Sequence, residues 1–240
     1  RRTPVATTKT TTRTVKTRVP EPLTPREVEL IINAIGDGAT SVEVLRRRVI
    51  HETLHKTGLR ASELLDLRPE DIHIDEPHPY IRVRCGKGGK QRHVPISQAL
   101  APWLRKWSEA RPPSDWFFCR VRKHTAGSKM KDDELRTMVR RAGEAAGIPG
   151  VHPHKWRHTY ATELLAQGCT IREVQMCMGH ASIATTQVYL HVRPEELWRH
   201  VNQAQITPKA ADTNAVAAQV APGTLLATLK ALVAQMEGTE

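Results

Sequence analysis

The sequence predicts an α+β domain, mainly α-helical, with a small three-stranded antiparallel sheet. Two observations predict it: apolar residues recur at helical spacing over most of the chain, while residues 72 to 96 alternate like strands around a Gly-rich turn. Hydrophobic residues make up 39% of 240, enough for a packed core and one or two domains. A formal net charge of +11 adds a third observation. Such an excess of Lys and Arg is what a polyanion-binding surface requires, and equally what a merely soluble basic protein carries.

Residues 1 to 22 hold six Lys or Arg, one acid (Glu21) and eight Thr, with little to bury, and read as a basic arm or linker that is disordered when free. A domain is expected over 23 to 203. Its first helix starts at Thr24-Pro25-Arg26-Glu27, where a capping Thr, an early Pro and a Glu three residues on coincide. Val28, Ile31, Ile32 and Ile35 continue it until Gly36-Asp37-Gly38. A second helix runs from about Ser41 to Lys56, with Val42, Leu45, Val49 and Leu54 on one broad face and a stop at Thr57-Gly58. Ile72-His73-Ile74, Tyr80 to Arg84 and Gln91 to Ile96 are the strands, with Gly86-Lys87-Gly88-Gly89-Lys90 a hairpin. Helical periodicity returns over 98 to 110, 131 to 146, 155 to 167, 171 to 179 and 194 to 203, with breaks at Pro112-Pro113 and Pro149-Gly150. Residues 204 to 223 read as a linker. In 224 to 240, Leu225, Leu229, Leu232 and Met236 form the stripe of an amphipathic helix, able to pack on its own domain or on a neighbouring molecule.

Cys85, Cys119, Cys169 and Cys177 form no Cys-x-x-Cys pair, which speaks against a zinc ribbon or a dense disulfide framework and for free thiols in a reducing compartment. No apolar run approaches the length that spans a bilayer, and no secretory signal opens the chain. The expectation is a cytoplasmic protein associated with the nucleoid and not with a membrane. Arg1 in place of Met is expected of a fragment or a processed chain.

Four features carry chemistry, each ordinary in isolation. Arg60 lies in Thr57-Gly58-Leu59-Arg60-Ala61-Ser62-Glu63, where two elements meet, and alone it reads as a surface arginine with Glu63 as its helical partner. Lys87 stands on the Gly-rich turn beside Lys90 and Arg92, which alone is a solvated basic loop. His152-Pro153-His154-Lys155-Trp156-Arg157-His158 opens a helix on which His154 and Arg157 share a face. A metal is not expected there, because no Cys or carboxylate stands at ligand spacing and an arginine would oppose a cation. Gly179-His180 ends another helix, and Tyr189, which by itself reads as a packing tyrosine, follows nine residues after His180.

In that order, Arg, Lys, His-x-x-Arg, Gly-His and Tyr, the chain from about 24 to 200 closely resembles the tyrosine site-specific recombinases of the phage-integrase family. The motifs are specific: Thr-Gly-Leu-Arg with Glu three on, a Gly-Lys-Gly hairpin, Pro-His-x-x-Arg-His-Thr-x-Ala-Thr, and Gly-His with a Tyr nine later. Trp156 and Met178 stand where the family usually has aliphatic residues and read as core substitutions. The resemblance implies a recombinase catalytic domain with Arg60, Lys87, His154, Arg157, His180 and the nucleophile Tyr189 as catalytic residues and Glu63 in support. The choice of Lys87 over Lys90 rests on the family match alone. A counterpart of the helical DNA-clamping domain that precedes the family's catalytic domain is not expected within these residues.

The implied reaction splits one phosphodiester displacement into two reversible ones through a covalent 3′-phosphotyrosine, freeing a 5′ hydroxyl. Two guanidiniums, Arg60 and Arg157, suit the non-bridging oxygens of the pentacoordinate state, since planar donors pair with them bidentately. Lys87 is the implied general acid for the leaving oxygen, and His154 and His180 assist around Tyr189, His154 being the better candidate for a base. No metal, ATP or other cofactor is implied. The implied partner is double-stranded DNA carrying a recombination site, bound through Arg1, Arg2, Lys9, Arg13, Lys16, Arg18, Lys90, Arg92, Lys129 and Lys131 in a salt-sensitive way. The implied assembly is a homotetramer on two DNA sites, with two of four tyrosines active at a time, the C-terminal helix passed to a neighbour, and room for accessory DNA-binding proteins. A type IB topoisomerase, with a similar residue set, and a non-catalytic DNA-binding protein of the same fold are the competing readings.

Overall fold

A computed structural model describes residues 21–36, 41–84, 91–179 and 201–202. The arm, Lys87, Lys90, His180, Tyr189 and the C-terminal stripe therefore lie outside the described residues.

Local signals set the element boundaries. Helix α1 (Pro25–Ile35) begins in a full capping box: Thr24 accepts from the Glu27 amide, and Glu27 accepts from the Thr24 amide at 2.7 Å. Helix α2 (Val42–Thr57) is capped by Ser41 and closes at Gly58, whose φ of +59° is left-handed. After the short α3 (Ala61–Leu65), three antiparallel strands form a sheet in the order β1 (Ile72–His73), β2 (Tyr80–Val83), β3 (Arg92–Pro95). The register pairs Ile81 with Val94 and Val83 with Arg92. Helices α4 (Ala101–Ala110), α5 (Asp132–Ala145), α6 (Pro153–Ala166) and α7 (Ile171–Met178) follow. Two starts differ from the periodicity. Helix α4 begins three residues late because Ser97 to Leu100 form a turn first, and α6 begins two residues early because His152 caps it and Pro153 suits its first turn.

Helix α2 runs through the middle of the domain against α1, α4 and α6. The single broad face expected of it is therefore too narrow a description, for Arg46, His51, Glu52, Thr53 and Thr57 are buried along with its apolar residues. Several of their polar atoms find partners at hand: Arg46 Nη1 donates to the Cys119 carbonyl at 3.1 Å, and the Thr53 hydroxyl to the Val49 carbonyl. The main core joins α1, α2, α4, α5 and the inner sheet face around Trp107, Phe118 and Trp156. A smaller cluster of Tyr160, Leu164, Val174, Cys177, Met178 and Val201 seals α6 to α7. Trp156 and Met178 are fully buried, as expected of core substitutions. Among the described residues, Cys119, Cys169 and Cys177 are unpaired and buried, and no helix is long and apolar enough to cross a membrane.

Residues 111 to 131, which carry no periodicity, wrap the core as irregular chain. Trp107 holds them by donating to the Phe117 carbonyl at 2.8 Å, and an isolated bridge joins Cys119 to Lys129.

Gly58 is closely packed. A Cβ there would stand 2.4 Å from the Tyr160 ring, on a backbone that L-residues rarely adopt. Gly58→Ala is expected to cost about 2–5 kcal/mol from the left-handed strain and the overpacking together. Thermal unfolding checks it, with a midpoint lowered by about 10 °C.

Candidate active site

Three helix ends meet at one open cleft of about 600 Å³, lined by Arg60, His154 and Arg157 together with Asp66, Lys129 and Arg136. Arg60 reaches it because the left-handed Gly58 turns the chain sharply between α2 and α3. His154 and Arg157 reach it from the first turns of α6, three residues apart on one face. The cleft thus brings together three of the six residues expected to be catalytic.

The last carbonyls of α7 organise the arginines. A helix C-terminus leaves acceptors without intrahelical donors and carries partial negative charge, so it suits guanidiniums. Arg92 Nε donates to Cys177 O at 3.1 Å, Arg157 Nη2 to Met178 O at 2.6 Å, and Arg60 Nη1 and Nη2 reach Gly179 O at the long distances of 3.5 and 3.4 Å. Gly179, which immediately precedes His180, ends the helix at φ +64°, and a Cβ on it would stand 2.6 Å from the Arg92 guanidinium. Further along the chain, Val201 is buried in the smaller core cluster and Asn202 accepts from the Gln98 amide at 2.7 Å. The chain is therefore anchored on both sides of the segment that contains His180 and Tyr189.

Glu63 pairs with Arg60, but its environment is richer than a helical pair. Its Oε1 accepts from Arg60 Nη1 at 2.9 Å and from Arg92 Nη1 at 2.7 Å, while Oε2 accepts from Arg92 Nη2 and from the Arg60 amide, both at 2.8 Å. Burial raises the carboxyl's pKa, but the Arg92 hydrogen bonds and charge, with those of Arg60, outweigh it and bring it to about 2. Arg157 is 2% exposed and also donates to Gly58 O at 2.5 Å, joining the ends of α2 and α7 to α6. Burial and then the neighbouring Arg60 push its pKa down to about 9, so it remains charged at neutral pH. Around Glu63, three guanidiniums meet one carboxylate, an excess of positive charge.

The clustered histidines divide their work. His152 caps α6, its Nδ1 accepting from the Lys155 amide at 3.2 Å, and burial with His154, Lys155 and Arg136 nearby lowers its pKa. His158 is buried beneath the helix, where desolvation and then His154 hold it below the ordinary value. His154 alone of the three lines the cleft.

Of the residues expected on DNA, Arg1, Arg2, Lys9, Arg13, Lys16, Arg18 and Lys90 lie outside the described residues. Lys129 stands on the cleft with its Nζ 2.5 Å from Asp66 and 4.0 Å from the Trp116 ring centre, and Lys131 is exposed at the start of α5. Arg92, also expected on DNA, has a side chain 13% exposed, with its guanidinium engaged by Glu63 and the Cys177 carbonyl. Strand alternation carries the signal: Arg92 is two residues from the buried Val94 and so lies on the inner sheet face. Arg136, on the cleft, was not singled out by any motif.

Solved structures with this arrangement of helices and sheet are recombinase domains. The crystal structure of XerA recombinase superposes with a TM-score of 0.60 at 31% identity, covering 79% of this chain and 67% of that one. XerH site-specific recombinase bound to difH substrate, in a pre-cleavage complex, gives 0.59 at 26% identity, covering 76% and 53%. Fold and cleft together define a tyrosine recombinase catalytic domain. A model of the phage integrase family matches residues 21–196, and the chain belongs to that family. It is 35% identical over 189 residues to tyrosine recombinase XerA of Pyrococcus furiosus, covering 78% of this chain and 63% of that one. To tyrosine recombinase XerC of Corynebacterium efficiens it is 38% identical over 169 residues, covering 69% and 52%. The chain thus spans under two thirds of the length of these curated relatives.

Proposed function

We propose that this chain breaks and rejoins DNA at specific sites through a covalent 3′-phosphotyrosine on Tyr189, without metal or ATP. The observation that carries the reading is the convergence of Arg60, His154 and Arg157 on one cleft at the C-terminus of α7, directly before His180 and the segment containing Tyr189. Arg60 and Arg157 grip the non-bridging oxygens, where positioned donors contribute a few kcal/mol each to the pentacoordinate state. Their fixed charge supplies what metal ions supply in many nucleases. His154 acts around the attacking phenol with His180, and Lys87, on its hairpin, protonates the departing 5′ oxygen. The phosphotyrosine conserves the bond energy that rejoining needs. The partners are a double-stranded recombination site and further copies of the chain, assembled as a tetramer on two sites in the cytoplasm with the nucleoid.

Two differently labelled duplexes carrying the cognate site, incubated with the protein in EDTA, test this. Joined products that carry both labels are expected. Relaxation of supercoiled DNA without exchange between duplexes would assign a type IB topoisomerase instead, and binding without any covalent adduct a non-catalytic DNA-binding protein.

A further inference from the structure

We propose that Arg92 is a positioning residue of the phosphoryl-transfer site, tying the base of the lysine hairpin to the ends of α3 and α7; the proposal rests on the function just described. The geometry is specific. One guanidinium bridges both oxygens of Glu63, donates to Cys177 O, and lies against Gly179 too closely for any side chain there. Three separate stretches of chain are thereby referenced to one planar group. Glu63, held on one side by Arg92, holds Arg60 on the other, so the orientation of Arg60 in the cleft depends on a residue that does not line it. By sequence, Arg92 follows Lys90 by two residues and Lys87 by five, and Gly179 leads directly into His180. Arg92 is thus the point where the strand leaving the hairpin and the helix leading to His180 share a fixed distance.

A simple buried ion pair would also join Arg92 to Glu63, but it would not need Gly179 bare or the Cys177 carbonyl turned to the guanidinium. Lysine cannot replace the group, because a point charge cannot bridge two carboxylate oxygens and a carbonyl at once.

The test uses the full chain with Arg92→Leu and Arg92→Lys, measuring covalent capture of a nicked suicide duplex, DNA affinity, and amide exchange across 58–64 and 171–179. In Arg92→Leu the capture rate is expected to fall about 100-fold, the usual consequence of a misplaced catalytic group. Affinity should change less than about threefold, because many phosphate contacts share the binding. A new acid limb is also expected, the rate declining as pH falls, since Glu63 keeps its burial but loses its main counter-charge and protonates more readily. Arg92→Leu combined with Glu63→Gln should remove that limb, which a merely structural role would not produce. Should the leucine variant fail to fold, Arg92→Lys, which keeps the charge but not the planar bridge, is expected to show a smaller loss of capture rate with affinity likewise unchanged. Capture within threefold of the unaltered chain, or rate and affinity falling in parallel, would overturn the proposal. If the unaltered chain forms no adduct, the proposed function falls and exchange decides Arg92 separately: joint loss of protection in both segments supports it, and unchanged protection overturns it.

Discussion

Tyr189→Phe is expected to abolish covalent capture of DNA while leaving binding intact. Phenylalanine keeps the ring and removes one oxygen, so any packing the tyrosine provides survives and only the proposed nucleophile is lost. Removing a nucleophile commonly costs more than about 10³-fold in rate, below the detection of a gel-stable adduct. The measurement is a denaturing gel of the protein with a nicked suicide duplex in EDTA, alongside a binding isotherm. An adduct that persists would move the nucleophile elsewhere. An adduct of the unaltered chain that fails in EDTA would point to metal chemistry.

The second large effect separates the two arginines of the cleft. Both Arg60→Ala and Arg157→Ala are expected to slow capture by about 10²–10³-fold, because each removes a positioned donor from the charged transition state. Their effects on stability should differ. The Arg60 side chain is 37% exposed and its contacts with Gly179 are long, so its loss should shift unfolding little. Arg157 is buried and holds Gly58 O and Met178 O, and removing it leaves two carbonyls at helix ends without their donor. Each buried acceptor left unsatisfied costs about 1–3 kcal/mol, so Arg157→Ala should lower the unfolding midpoint clearly. Capture rates taken well below both midpoints distinguish chemistry from unfolding. Equal stability of the two variants would show that Arg157 does not join α2 and α7 to α6 in solution.

Much of the fold was legible because its signals are local. The capping box at Thr24, the glycines that end α2 and α7, and the alternation in β2 and β3 each act within a few residues. Residues 111 to 131 were not legible. They gain their conformation by packing Phe117 and Phe118 under Trp107, and no periodic pattern encodes that. For the site, sequence placed His154 and Arg157 on one helical face and Glu63 beside Arg60. It took Arg92 for a surface cation, because a basic residue near a lysine-rich turn looks solvated until its partner, 29 residues earlier, is brought to it.

By itself, then, the sequence determined the kind of domain and most of its helices and strands, because capping, periodicity and motif spacing are properties of neighbouring residues. The tertiary structure alone decided which side chains share a cleft and which hold the others in place. Arg60, Arg92 and Arg157 come from three distant stretches of chain, and what unites them is a set of unpaired carbonyls at the end of α7, which exist as acceptors only once that helix has formed and packed.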